Sequence, residues 1–136
     1  KTADETVNNT TTVQDDNHLL FAVSASTNYA WRATLIVTTT TTADFKHTYT
    51  GPASPTLVKF GFISGHIGGT TDTLAGAAFG AEMGGQSSTT TLIVIGGILQ
   101  NGANAGTVTL RWAQNTATAV DTTVHAGSYL EYMTIA

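Results

Sequence analysis

The feature that most constrains this chain is strict two-residue alternation, seen most cleanly in the segment GTVTLRWAQ at residues 106–114. Val108, Leu110 and Trp112 fall on one side, and Thr107, Thr109 and Arg111 on the other. A helix would scatter alternate residues around its axis, whereas a strand sends them to opposite faces, so this spacing predicts a half-buried antiparallel strand. The pattern recurs along the chain. Leu19, Phe21 and Val23 share a face, and Tyr29, Trp31, Ala33, Leu35 and Val37 stand opposite Arg32 and Thr34. Phe45, His47 and Tyr49 alternate with Asp44, Lys46 and Thr48, and Val58, Phe60 and Phe62 point inward from 56–62. Two last strands are expected over 122–126 and 128–135.

Between these runs lie turn signals. Gly51, Pro52 and Pro55 end one strand, because proline lacks the ladder donor and fixes its own φ. The five threonines 38–42 either extend a strand or form a solvated turn. Residues 65–88 are rich in Gly, Ala and Ser and accommodate short strands, a long loop or one brief helix near 74–79. The run 89–99 is nearly all apolar and reads as a strand buried on both faces, its Gly96-Gly97 pair marking a bulge or a close backbone approach. Eight to ten short strands in all predict an all-β fold: an antiparallel β-sandwich, jelly-roll-like, as a single domain over 18–136. Residues 1–17 are polar apart from Val7 and Val13 and read as an N-terminal arm or edge strand, a segment suited to ordering against a partner.

Composition narrows the function. Only 10% of residues are charged, against an average of about 25%, and 28 of the 136 residues are threonine, a β-branched residue suited to a wet pleated surface. The five bases, Lys1, Arg32, Lys46, Lys59 and Arg111, are scattered in a chain of net charge −4. Nucleic acid is therefore not expected as a partner, since nonspecific binding needs one basic patch to neutralise several phosphates. With no cysteine there is neither a disulfide nor a thiolate metal site. The longest apolar run, 92–99, is too short for a bilayer-spanning helix, and no membrane contact is expected.

No residue pattern nominates a reaction, so neither a cofactor nor enzymatic activity is expected. His18, His47, His66 and His125 lack metal-ligand spacing; His47 and His125 read as partly exposed strand histidines. Asp15 and Asp16 suit an Asx turn better than a calcium loop, which needs several oxygen ligands at alternating positions. The serines and threonines carry no nucleophile-elbow pattern, and GHIGGT and GGQSS are not phosphate loops. Trp31 and Trp112 lie on apolar strand faces and read as core rather than as sugar-stacking platforms.

Three segments carry a resemblance. TADETVNNTTTVQDDNHLLFAV (2–23), TADFKHTYTGP (42–52) and NGANAGTVTLRWAQNTATAVDTTVHAGSYLEY (101–132) together resemble a family of small structural proteins of tailed-bacteriophage virions, of the kind found as capsid decoration proteins or fibre-like domains. GTVTLRWAQN followed by TTVHAGSYL is the most specific wording. The resemblance covers about half the chain; residues 53–100 share only its Gly/Ala/Thr-rich character. It implies a non-enzymatic β-rich building block on the surface of the phage particle that self-associates, as a homotrimer, and binds the major capsid protein or another virion protein. The alternative it implies is a tail-fibre or appendage module that binds a receptor or host surface glycan. On the first reading the polar arm makes the contact, and Val7, Asn8, Asn9, Val13, Asp15 and Asp16 are the expected interaction residues.

Overall fold

The computed structural model describes residues 1–64, 75–76, 78–86 and 90–136. Among these are eleven strands and no helix: β1 (Glu5–Val7), β2 (Gln14–Val23), β3 (Asn28–Thr38), β4 (Phe45–Thr50), β5 (Leu57–Ser64), β6 (Ala75–Gly76), β7 (Met83–Gln86), β8 (Thr91–Gln100), β9 (Gly106–Gln114), β10 (Thr122–Val124) and β11 (Tyr129–Ile135). They form two antiparallel sheets packed as a sandwich. The larger runs β1-β10-β3-β8-β5-β6, with β11 also paired to β3; the smaller runs β2-β9-β4-β7. This strand order does not establish the jelly-roll connectivity expected from sequence.

Alternation decides which side chains meet between the sheets. Tyr29, Trp31, Ala33, Leu35 and Val37 of β3 face Leu19, Phe21 and Val23 of β2, Val108, Leu110 and Trp112 of β9, and Phe45 and Tyr49 of β4; all are buried. The core is rich in rings, which meet in tilted, edge-on and stacked contacts. Trp31 meets Tyr49 edge to face at 5.3 Å between centroids, and Phe45 lies 6.1 Å from Trp112.

Local chemistry explains the turns. The threonine tract divides: Thr38 closes β3, Thr39 buries its hydroxyl against that of Thr122 at 2.9 Å, and Thr40 begins a turn. In that turn Thr40 Oγ1 accepts from Ala43 N and Thr40 O from Asp44 N. The Gly96-Gly97 pair is a close approach and not a bulge, since β3 and β8 stay in register through Trp31↔Gly97 and Arg32↔Gly96. A Cβ on Gly97 would lie 2.5 Å from Trp31 Cζ2 and 2.4 Å from Lys59 O, so the missing side chain is what admits the indole.

Three expectations need correction or relocation. β8 is buried on one face only: Ile93, Ile95 and Leu99 point inward, while Leu92 (57% exposed) and Ile98 (45%) face out, because nothing among the described residues covers that side of the sheet. His47 is not partly exposed but wholly buried. A helix near 74–79 is absent where the chain is described, since Ala75–Gly76 pair with β5 and 78–80 turn; Leu74, Ala77 and the rest of 65–74, His66 included, lie outside the described residues. Residue 17 lies within β2, and β1 is an edge strand bonded to β10 through Glu5↔Val124 and Val7↔Thr122.

His47 stands between Phe62, edge-on at 4.7 Å, and Tyr49, and neither of its ring nitrogens has a hydrogen-bond partner. Burial pushes its pKa down from 6.5 to about 3. The unfolded chain therefore binds a proton that the folded chain refuses, so the stability His47 allows is fully present above pH 6.5 and declines as pH falls toward 3. The loss is about 1.4 kcal/mol per pH unit. His47→Met is expected to be neutral or stabilising at pH 7 and to flatten the stability slope between pH 6.5 and 5, measured by urea midpoints. Gly97→Ala is expected to cost about 1–3 kcal/mol through overpacking, read from the same unfolding curves with m unchanged.

Candidate functional site

The strand β11 lies at the margin of the larger sheet, and its composition sets it apart. It runs antiparallel to β3 from Tyr129↔Thr34 to Ile135↔Asn28, while β10 takes the rest of β3 through Thr123↔Thr38 and Val124↔Val37. The two are separated by a turn with Gly127 at φ +89°, a conformation that favours glycine. His125 N donates to Ile36 O, and Ile36 N donates to Ser128 Oγ, so the hydroxyl completes the ladder where the strand breaks. The other edge of β11 pairs with no strand among the described residues.

Paired residues of an antiparallel ladder share a face. Leu130 and Tyr132 accordingly point inward with Ala33 and Trp31, and Tyr132 stacks on Phe21 at 4.4 Å, fastening β11 to β2 across the sandwich. Half of the Tyr132 residue remains in solvent. Tyr129, Glu131 and Met133 point outward, Met133 being 64% exposed. Glu131 is the one charge on the strand, and it meets Arg32 at 2.8 Å with both side chains half exposed, a pair that contributes little to stability. A shallow depression of about 370 Å³ is lined by Ala30, Arg32, Glu131 and Met133.

From β11 the outer face of the sheet continues across β3 and β8 to β5. Beside the half-exposed Leu92 and Ile98 lie Leu57 and Ile63 of β5, with Ile63 reaching over Gly96. An edge with no strand partner among the described residues, beside a face on which Leu57, Ile63, Leu92 and Ile98 surround Lys59 and the Arg32–Glu131 pair, is an arrangement that monomeric sheets ordinarily block more heavily with charges, prolines or bulges. What it offers chemically is backbone donors and acceptors plus apolar area, suited to another polypeptide.

The residues expected in the arm are placed differently from one another. Val7 is buried in the core beneath β1. Asn8 Nδ2 donates to Ala119 O and to Asp121 Oδ1, both at 2.8 Å, and Asn9, at φ +51°, donates from its backbone to Thr118 O. Val13 O accepts from Arg111 Nη2, and Asp15 pairs with Arg111 Nε at 2.6 Å. Asp16 is buried. The six residues thus latch the segment onto its own domain, and a partner contact through Val7 or Asp16 requires that segment to open.

Asp16 belongs to a buried ion cluster that sequence reading missed. Its Oδ1 accepts from His18 N at 2.9 Å and Leu19 N at 3.0 Å, its Oδ2 from Trp112 Nε1 at 3.1 Å, and Lys1 Nζ lies 3.1 Å and 3.0 Å from the two oxygens. Burial alone would push this carboxyl up, but the His18 N–H and the Lys1 ammonium hold it below the usual carboxylate range. Lys1 Nζ also pairs with Glu5, whose other partner is Asn17. Glu5, Asp16 and His18 place ligand atoms within 4.8 Å of one another, yet the Lys1 ammonium already supplies the positive charge between the carboxylates. The only local hint in the sequence is the Asx-turn pair at 15–16; Lys1 and Trp112 join it solely through the fold.

Comparison with protein-family models, with curated proteins and with solved structures gives no match. If Tyr132 is the fastening of β11, Tyr132→Ala is expected to cost about 1–2 kcal/mol through lost burial and stacking, and amide exchange at 129–135 should accelerate more than at β3. Uniform acceleration across the sheet would contradict that role.

Proposed function

We propose that this chain is a non-enzymatic structural protein of a tailed-phage virion, a capsid decoration protein that binds and stabilises the assembled shell. The observation that carries the reading is the edge of β11, unpaired among the described residues, beside the exposed Leu92 and Ile98 on the outer face of the larger sheet. It agrees with the building-block character implied by the resemblance at 2–23, 42–52 and 101–132. A protein that binds only the closed shell shifts the equilibrium away from rupture by mass action.

Self-association as a homotrimer completes the proposal. A threefold ring needs two different patches that meet heterologously. β11, with Tyr129 and Met133, supplies one, and the outer face around Leu92 and Ile98 the other. The remaining surface then meets the major capsid protein. The half-exposed Tyr129 and Tyr132 favour the second reading, a tail-fibre or appendage module in which these rings stack on a host glycan.

Light scattering on the purified chain should give a trimer, and Met133→Lys or Leu92→Lys should each yield a folded monomer with an unchanged circular dichroism spectrum. A wild-type chain that stays monomeric at high concentration would remove the assembly surface. Cryo-electron microscopy of particles carrying the chain distinguishes the two locations: density repeating regularly over the shell supports decoration, and density confined to a tail tip or fibre replaces it with the adhesin reading.

A further inference from the structure

The Lys1–Asp16–Glu5 cluster is arranged as a condensation site. The Lys1 and Asp16 side chains are both fully buried, and Glu5 is 16% exposed. Lys1 is held in register by its backbone, whose nitrogen donates to Ser128 O at 2.7 Å and whose carbonyl accepts from Gly127 N at 2.9 Å. With Nζ at 3.0 and 3.1 Å from the two Asp16 oxygens, the carboxyl carbon between them lies within about 3.5 Å of the nitrogen, the separation of a near-attack pair. Asp16 Oδ1 faces two convergent backbone donors, His18 N and Leu19 N, which is the geometry that stabilises an oxyanion. Glu5 touches the nucleophilic nitrogen and is itself oriented by Asn17, through Nδ2 to Oε1 at 2.8 Å and the backbone N to Oε2 at 3.3 Å.

From this geometry we infer that the protein forms an intramolecular isopeptide bond between Lys1 Nζ and Asp16 Cγ, with Glu5 as the proton shuttle. Lys1 Nζ first passes a proton to Asp16 Oδ2, 3.0 Å away, which turns the ion pair into a neutral amine and a neutral acid; the amine lone pair then attacks Cγ as the C=O electron pair moves onto Oδ1, between His18 N and Leu19 N. The tetrahedral nitrogen gives up a second proton, this time through Glu5. Both protons are delivered to Oδ2, which leaves as water when the Cγ–Oδ2 bond breaks. The ammonium and carboxylate become one amide and one water, Glu5 ends as the carboxylate it began as, and no oxidant or co-reactant is needed.

The driving force is burial. Two carboxylates and one ammonium are withdrawn from water, and a buried ion pair recovers its desolvation cost poorly. Condensation replaces the pair by a neutral amide whose oxygen keeps the His18 and Leu19 donors, while Asn17 continues to hold Glu5. Its structural effect would be to tie the segment before β1 to β2, in the smaller sheet, by a covalent bond.

The test is the intact mass of the purified, folded chain under denaturing conditions, followed by peptide mapping. The expected mass is one water below that of the sequence, with a branched peptide joining Lys1 to Asp16. Lys1→Arg and Asp16→Ala should show the full mass. Glu5→Gln should show it too while keeping the wild-type circular dichroism spectrum, which separates loss of the shuttle from loss of the fold. Folded wild-type chain that retains its full mass on prolonged incubation, or a water loss mapped to any other residues, overturns the assignment and leaves the cluster as an ion pair only.

Discussion

Ten consecutive residue pairs hold β3 against β8, from Asn28 opposite Gln100 to Val37 opposite Thr91, and every other strand of the larger sheet reaches the fold through one of these two. That ladder depends on a single steric fit. Trp31 places its indole where Gly97 has no side chain, and the carbonyl of Lys59 on β5 closes over the same spot. The indole in turn contacts Phe21 and Tyr49, which belong to the two halves of the opposing sheet. A change at this crossing is therefore felt in both layers, as expected of interiors packed as densely as organic crystals.

The interior is not uniformly apolar, and its two polar features behave in opposite ways. His47 is buried neutral and unpartnered, so it weakens the fold increasingly as acid rises. Asp16 is buried charged but almost saturated, with backbone, indole and ammonium donors around it. A buried carboxylate with that many donors specifies its surroundings strongly, and it is here that the N-terminal segment, β2 and β9 are locked together. The covalent bond proposed between Lys1 and Asp16 would make that lock permanent.

The outside of the molecule follows a different rule. Threonine hydroxyls rather than charges wet most of the surface, and several bond to one another, as Thr6 does with Thr123 and Thr38 with Thr90. Such a surface repels other copies weakly. Along β11 and across β8 even that coat is missing, and Met133, Leu92 and Ile98 remain in solvent. Stability of the single chain gains nothing from this exposure, because apolar area left in water contributes no burial.

Period-two spacing determined the strands that are amphipathic, because a pleated backbone leaves no choice about which residues share a face: the alternate residues of 19–23, 29–37 and 108–112 are inside for that reason, whereas in 45–49 Lys46 and Thr48 on the opposite face are buried too. The two tryptophans belonged to the core on the same grounds. What spacing could not decide was how many neighbours each strand would have. The run 91–100 is apolar on both faces whether or not its outer face is covered, and only the sheet order leaves Leu92 and Ile98 exposed. His47 sits on an inward face in the sequence pattern, yet whether an imidazole there is wet or dry depends on Phe62 and Tyr49 closing around it. The candidate sites were still less legible. Lys1 and Asp16 are fifteen residues apart and Trp112 lies ninety-six residues beyond Asp16, so their meeting is a property of strand pairing and layer packing that no local pattern encodes.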